Sequence, residues 1–359
     1  MRHLITLDDL SNFEISQIFR LADQMRTNLA TWSGFCQGKL LATLFYEPST
    51  RTRLSFESAM ERLNGRTLGF ADPHAASVAK GETIADTARM VTNYADVIVV
   101  RHSFAGSARV MARYANIPVI NGGDGSHAHP TQALADMYTV IARKGEVKGL
   151  TVGICGDLRY GRAAHSFALA IARFGGKLVH IAPEGFQMPK WVLTKIRYLY
   201  GGAPAVSLHL ADVIRELDVI YVNRLQEERL PADVDPETAR SSYLVNADVM
   251  RNAKSDAMIM HPLPRVNELS YELDEDPRAA YFEQSANAIP TRMALIASLT
   301  GLEELILTQP PGREITGGGE PCANPDCVTA FENYLQPEIE TREGEGSMTS
   351  CAYCGVIVS

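Results

Sequence analysis

FYEPSTRTRLSFE, residues 45–57, joins an apolar strand pattern, LLATLFY, to a helical pattern running to about Gly65. A strand that passes directly into a helix is the opening half of a parallel α/β repeat. Ser49 or Thr50 suits the N-cap of that helix and Gly65 its stop. Ser49, Thr50, Arg51, Thr52 and Arg53 fall at the junction itself. There the backbone N–H groups and the positive end of the helix dipole favour an anion, while hydroxyls and a guanidinium add directed hydrogen bonds. The stretch therefore reads as a phosphate pocket, with an ordinary capped helix and charged face as the competing account. It lacks the glycine-rich run and lysine of a Walker loop, which argues against nucleoside triphosphate hydrolysis.

The same alternation continues outward. RTLGFA reads as a strand, DPHAASVAKGET as a polar loop, IADTARMVTNYA as a helix and DVIVVRH as a strand. IPVIN reads as a further strand, followed by a loop, GGDGSHAH, and a helix that starts at Pro130, a residue suited to a first helical turn. A second alternation opens at LTVGICGD and continues through GRAAHSFALAIARFGG, KLVHIAP, DVIYVN and DAMIMHPLP. Two parallel-sheet α/β domains therefore meet near residues 131–150. The last strong helical pattern, SANAIPTRMALIASLTGLEELIL, could return across both, and TQPPGREITGGGEP reads as a linker.

Ligands of open α/β sheets collect at the carboxyl ends of strands. Arg101 with His102, and His129 with Gln132, fall at such ends, as does the Ser49–Arg53 junction. A neutral histidine beside an arginine can stabilise a developing oxyanion. His102 and His127 read as structural, and His129 is set apart only by its company. Ser77 and Lys80 lie on the loop ASVAKGE, where a lysine is usually just solvated. GDLRYGR supplies Asp157, Gly161 and Arg162, but its glycines have the wrong spacing for a dinucleotide fingerprint. Arg162 at a helix start is disfavoured on dipole grounds unless it serves an anion. Arg224 and Gln226 in VNRLQEER, and Leu263, Pro264 and Arg265 in HPLPR, end two later strands. Arginine suits carboxylates through paired, planar bonds. One cluster thus suits phosphate and the other a dicarboxylate.

The chain has 359 residues, 46% hydrophobic and 21% charged, which is the balance of a globular protein with about two domains. Its N-terminus, MRHLITLDDL, has no unbroken apolar run, so no signal peptide and no membrane segment are expected and a cytoplasmic location is. The net charge of −8 argues against broad nucleic-acid binding. Cys322, Cys327, Cys351 and Cys354 form the pattern C-x4-C, x23, C-x2-C, which fits a closed tetrahedral zinc site. In a reducing compartment, metal ligands are the better reading than disulfides. From Arg313 to Ser359 there are two basic and eight acidic residues, which disfavours a nucleic-acid-binding ribbon.

FYEPSTRTRLSFE, SVAKGETIADT, RH, GDGSHAHPTQALAD, GDLRYGR, NRLQEER and HPLPRVNEL occur in the order found in the aspartate carbamoyltransferase catalytic chain. Residues 1 to about 308 resemble that family. The ornithine carbamoyltransferases share S-T-R-T-R and H-P-T-Q but carry a cysteine where this chain has Pro262. The resemblance implies transfer of the carbamoyl group of carbamoyl phosphate to L-aspartate, with no cofactor for catalysis. It implies that Ser49, Thr50, Arg51, Thr52 and Arg101 hold the phosphate. Thr52, Arg101 and His129 would polarise the carbonyl, and Gln132 would contact the carbamoyl amide. Arg162 would hold the α-carboxylate of aspartate, with Arg224 and Gln226 on its side chain. Ser77 and Lys80 would reach a neighbouring active site, making a homotrimer the smallest working unit. A cis Leu263–Pro264 peptide and closure of the two domains are also implied. The rival classes are a carbamoyltransferase for another amino acid, such as ornithine, and a non-catalytic scaffold of pyrimidine enzymes.

The expected organisation is a carbamoyl-phosphate-binding domain, 1–131, completed by a returning helix, 286–308. An aspartate-binding domain, 132–285, a linker, 309–320, and a zinc-binding module, 321–359, complete it. The module resembles the zinc domain of the family's regulatory chain, which docks on the catalytic chain. The nucleotide-binding half of that chain has no counterpart here, so no ATP or CTP site is expected. A role as a brace between catalytic trimers follows from the resemblance.

Overall fold

The computed structural model describes residues 2–72, 81–225, 243–301, 314–318, 320–343 and 347–358. They form two compact units, 1–134 with 287–359, and 135–286.

The first unit is built on a four-stranded parallel sheet in the order β2-β1-β3-β4. Its strands are β1 (Leu40–Phe45), β2 (Arg66–Phe70), β3 (Val97–His102) and β4 (Val119–Asp124). VIVV in β3 is wholly buried, as a parallel strand covered on both faces requires. Helices α1 (Asn12–Thr27), α2 (Thr50–Arg62), α3 (Ile84–Val91) and α4 (Ser107–Tyr114) belong to this unit. α1 begins with a capping box in which Ser11 and Glu14 each satisfy the other's backbone N–H.

Two details differ from the sequence reading. The stop of α2 is not Gly65 but Asn64, which takes the left-handed conformation at φ 62°. Gly65 is needed for space, because a Cβ there would stand 2.3 Å from Met60 Cε. β4 also runs further than IPVIN. Gly122, Gly123 and Asp124 look like turn residues, yet His102 pairs with Asp124 across a register shift in β3.

The second unit holds a five-stranded parallel sheet in the order β7-β6-β5-β8-β9. Its strands are β5 (Thr151–Cys155), β6 (Lys177–Ile181), β7 (Ala205–Ser207), β8 (Val219–Val222) and β9 (Met258–Met260). The parallel chain order departs from sequence order at β5, which pairs with both β6 and β8. Helices α6 (Arg162–Arg173) and α7 (Lys190–Tyr200) follow β5 and β6. One unit gives way to the other within α5 (Pro130–Lys144) and α8 (Tyr281–Leu299). α8 starts four residues before the Ser285 suggested by sequence. In α5, buried Asp136 accepts bonds from the Tyr221 hydroxyl at 2.8 Å and Gln284 Nε2 at 2.6 Å.

The C-terminal segment adds a third, antiparallel sheet, β10 (Glu314–Gly317), β11 (Glu338–Glu343) and β12 (Ser347–Cys351). It belongs to the first unit. Cys327, Val328, Leu335, Tyr353 and Cys354 share one apolar cluster with Ala105, Val110 and Met111.

Burial lowers His102 in the first unit and His180 in the second to about 4. An unfolded histidine titrates near 6.5, above the folded value, so folding favours the neutral ring. The stability each contributes is intact above that pH and is lost as pH falls toward about 4, at about 1.4 kcal/mol per pH unit per ring. Denaturant midpoints should therefore fall between about pH 7 and about pH 5, and His180→Phe should flatten the fall. A midpoint equal at both pH values would mean that the buried rings accept protons at no cost.

Candidate active site and cysteine cluster

The carboxyl edge of the first sheet collects one group of candidate residues. Phe45 of β1 is the register partner of Arg101 in β3, and the Tyr46 N–H donates to the Arg101 carbonyl at 2.9 Å. This pairing sets Arg101 beside the 47–52 segment. Its side chain is nearly buried, with Nε 3.5 Å from Glu47 Oε2 and an Nη1 bond to the Gly122 carbonyl at 3.4 Å. Ser49 occupies the N-cap of α2 but its hydroxyl makes no capping bond. Thr52 is buried, whereas Arg51 is exposed. The surrounding protein still desolvates the Arg51 guanidinium enough to lower its pKa. Arg53 is tied to Glu57 one turn along, at 2.7 Å, which accounts for it structurally.

His129 is buried at the end of the loop that follows β4 and opens α5. Its Nδ1 lies 3.4 Å from Thr131 Oγ1, and its carbonyl accepts from the Gln132 N–H at 3.1 Å. The Gly125 N–H donates to the His102 carbonyl at 2.9 Å, joining this loop to the end of β3. Ser49, Thr50, Arg51, Thr52, Arg101, His129 and Gln132 are thus carried by adjacent strand ends of one sheet. His102 and His127 are structural, in agreement with the sequence reading. The His102 Nδ1 accepts the Phe104 N–H, and His127 Nδ1 donates to Asp124 at 3.0 Å.

Asp124 was not among the candidates. It is buried and accepts from Gly106 N–H at 2.7 Å, Asn121 Nδ2 at 2.7 Å and Ala128 N–H at 3.2 Å, besides His127. An aspartate in a glycine-rich stretch reads as turn chemistry, so nothing in GGDGSHAH marked it as the hub of the loop.

In the second unit Arg162 opens α6, partly buried. Asp157 orders the approach by accepting the Arg159 and Tyr160 N–H groups at 3.0 and 2.9 Å. His165 then donates from Nε2 to the Leu158 carbonyl at 2.7 Å. Arg224 follows β8, partly buried. The Leu263–Pro264 peptide is cis, and Leu263 adopts φ 54°. Its N–H donates to His261 Nδ1 at 2.7 Å, which leaves His261 Nε2–H to donate to Glu268 at 2.8 Å. Burial works to raise the Glu268 carboxyl, but the bonds from His261 and the Val266 backbone outweigh it and hold it below its usual value. Arg265 is not open for a ligand carboxylate, since it pairs with Asp274 at 2.7 Å and lies 3.9 Å over the Tyr271 ring. Ser77, Lys80 and Gln226 lie outside the described residues.

The four C-terminal cysteines converge. The Sγ atoms of Cys322, Cys327, Cys351 and Cys354 lie within 4.8 Å of one another, with Cys322–Cys354 at 3.5 Å and Cys327–Cys351 at 3.9 Å. Four thiolates about 2.3 Å from a tetrahedral zinc stand about 3.8 Å apart, so the donor set fits that ion. Cys322 is half-buried and the others are buried, which shields such a centre. None of the six cysteines is in a disulfide.

Comparison with known proteins bears on both halves. Residues 2–142 match the family described as aspartate/ornithine carbamoyltransferase, carbamoyl-P binding domain, and residues 148–299 match its Asp/Orn binding domain. The aspartate carbamoyltransferase catalytic subunit of Bifidobacterium adolescentis is 48% identical over 303 residues, 84% of this chain and 95% of that one. The catalytic subunit of M. jannaschii aspartate transcarbamoylase superposes with TM-score 0.77 at 40% identity, covering 83% of this chain and 98% of the other. Trypanosoma cruzi aspartate transcarbamoylase in complex with carbamoyl phosphate and aspartate gives 0.78 at 35%, covering 83% and 95%. The family models end at residue 299, before the cysteine segment. With two thirds of its length and more accounted for in this way, the chain belongs to the aspartate/ornithine carbamoyltransferase family, on its aspartate carbamoyltransferase branch.

Proposed function

We propose that the chain transfers the carbamoyl group of carbamoyl phosphate to the α-amino group of L-aspartate, in pyrimidine biosynthesis. The products are N-carbamoyl-L-aspartate and phosphate. The observation that carries this is the set of strand ends that unites the Ser49–Thr52 junction with Arg101 and the His129 loop. The T. cruzi relative, whose structure holds carbamoyl phosphate and aspartate, supports the choice of substrates.

In this reading Ser49, Thr50, Arg51, Thr52 and Arg101 bind the phosphate. Thr52, Arg101 and His129 donate toward the carbonyl oxygen, where negative charge grows as the amine attacks. Gln132 holds the carbamoyl amide. Arg162 takes the α-carboxylate of aspartate, Arg224 and Gln226 its side-chain carboxylate, and Leu263 and Pro264 line the acceptor pocket. The new C–N bond forms as the C–O bond to phosphate breaks. None of these side chains is an obvious general base, so the leaving phosphate takes the amine proton. The rate then comes from holding two anions together and from fixed charges aimed at the oxyanion.

Ser77 and Lys80 complete the active site of a neighbouring copy, which makes a homotrimer the working unit. The assigned organisation is 1–131 with 286–308 for carbamoyl phosphate, 132–285 for aspartate and a zinc module at 321–359. The 309–320 stretch, read from sequence as a linker, contributes Glu314–Gly317 as the edge strand β10 paired to β11. A structural zinc on Cys322, Cys327, Cys351 and Cys354 supplies folding free energy to a module with little core of its own. A cytoplasmic location keeps its thiolates reduced.

Acceptor screening tests the reaction. L-aspartate should exceed L-ornithine in kcat/KM by about 10⁴, since polar and cationic groups built for a second carboxylate reject a cationic side chain. Better turnover with ornithine would remove the roles of Arg224 and Gln226.

A further inference from the structure

The cysteine module is packed against the loops that bear one half of the active site. The Ala105 N–H donates to the Asp326 carbonyl at 2.9 Å, and the Val328 N–H returns a bond to the Ala105 carbonyl at 2.8 Å. Cys327 lies between Asp326 and Val328, so a metal ligand sits within this two-bond clamp. The ring of Phe331 stacks on Phe104, with centroids 3.6 Å apart and planes inclined by 4°. Arg113 of α4 donates to the Tyr353 hydroxyl at 3.0 Å and to Glu338 at 2.7 Å. Gly106 is required at its position, since it has φ 92° and a Cβ there would stand 2.7 Å from Tyr353 Cβ.

Two paths lead inward from this contact, and both end on one carboxylate. The first runs from the Asp326–Val328 clamp through Ala105 to the Gly106 N–H, which donates to Asp124 at 2.7 Å. The second runs from Gly355, next to Cys354, to His127. The Gly355 Cα faces the ring so closely that a Cβ would be 3.3 Å from His127 Nε2, and His127 Nδ1 donates to Asp124. From Asp124 the path continues to the Ala128 N–H at 3.2 Å, and the next residue is His129. Arg101 and His102 immediately precede the clamped 103–106 segment. Both oxygens of the buried Asp124 already accept from protein donors, and a carboxylate repels an anionic substrate, so its role is to hold the loop.

We propose that Asp124 is a positioning residue of the carbamoyl-phosphate half-site, through which the metal-filled cysteine module holds the loop that carries His129. The proposal rests on the phosphate-binding role given above to the strand ends of the first unit. A carboxylate with four donors converging on it stays put only while all four are present. Undocking the module withdraws the restraints behind Gly106 and His127 together, and the 124–129 loop relaxes. A coupling of this kind is typically worth 5- to 150-fold in ligand affinity.

The test measures binding of inorganic phosphate to the full chain by calorimetry, and turnover with L-aspartate, in the zinc-loaded, chelator-stripped and zinc-restored protein. Stripping should weaken phosphate binding by about tenfold and restoring zinc should recover it. Asp124→Asn, which keeps the size but weakens the acceptor, should bind phosphate weakly with zinc present. It should respond to stripping by less than about twofold, because effects on one path do not add. Wild-type phosphate affinity that ignores zinc, or an Asp124→Asn protein that keeps the full response, would overturn the proposal. Should stripping unfold the whole chain, zinc-loaded Phe331→Ala/Arg113→Ala, which loosens the docking alone, replaces it. That variant must also bind phosphate more weakly, and unchanged affinity overturns the proposal as well. A zinc-loaded protein that binds phosphate but never carbamoylates aspartate would sink the proposed reaction and leave the relay to be judged on phosphate alone.

Discussion

Alanine at Arg51 should lower kcat/KM by about a thousandfold, equivalent to about 4 kcal/mol of transition-state stabilisation. The reason lies in where the residue stands. In the proposed reading the first turn of α2 turns its N–H groups toward the phosphate, and Arg51 would supply a planar, always charged donor pair there. Phosphate gains charge as it leaves, so a charge-assisted bond to it strengthens along the reaction. Because Arg51 is exposed in α2, its removal should leave the unfolding midpoint within the small range usual for surface substitutions. Arg51→Lys retains the charge without the planar fork and should recover only part of the loss. Steady-state kinetics beside a thermal melt separates these outcomes. Near-normal turnover in Arg51→Ala would dismantle the phosphate assignment.

The second large effect is expected from the cysteines. Cys351→Ser should abolish metal retention and melt the segment from about residue 320 onward, because structural zinc can supply about 10 kcal/mol or more to modules of this size. The apolar residues packed inside the module are few, among them Val328, Leu335, Met348 and Tyr353, and the four cysteine sulfurs gather beside them. Native mass measurement of the wild-type complex should give one zinc per chain and three chains per particle. In Cys351→Ser the zinc should be absent and a protease should cut the tail while sparing residues 2–301. A tail that stays protease-resistant without metal would show that its contacts with α3 and α4 suffice. Those contacts include Glu332 with the Ile84 N–H at 3.4 Å and the Tyr334 hydroxyl with the Ala85 N–H at 3.2 Å.

Both predictions start from features legible in the chain itself. LLATLFY followed by STRTR declares a strand, a tight junction and a helix, since apolar runs, capping hydroxyls and turn residues act over a few positions. The spacing of Cys322, Cys327, Cys351 and Cys354 likewise foretells two short knuckles, because each pair of ligands is local. GDG was the place where local reading went astray. Its glycines suggest a loop, whereas β3 recruits Gly122 to Asp124 into β4, a pairing that depends on a strand about twenty residues away. Arg265 misled in the opposite direction. As a residue type it suits a ligand carboxylate, and only folding brings Asp274 and Tyr281 to it first.

What the amino-acid order determined alone is thus the βα alternation, the strand-to-helix junction at Ser49–Thr52 and the four-thiol donor set. Each follows from short-range steric and hydrogen-bonding preferences. What only the tertiary structure decided is which of these pieces meet. The β1–β3 register puts Arg101 beside the junction. Asp124 gathers donors from Gly106, Asn121, His127 and Ala128. The cysteine module, more than two hundred residues further on, closes against Phe104 to Arg113 of its own chain. Such meetings are set by how sheets pair and apolar faces are covered across the whole chain, and no window of sequence carries that information.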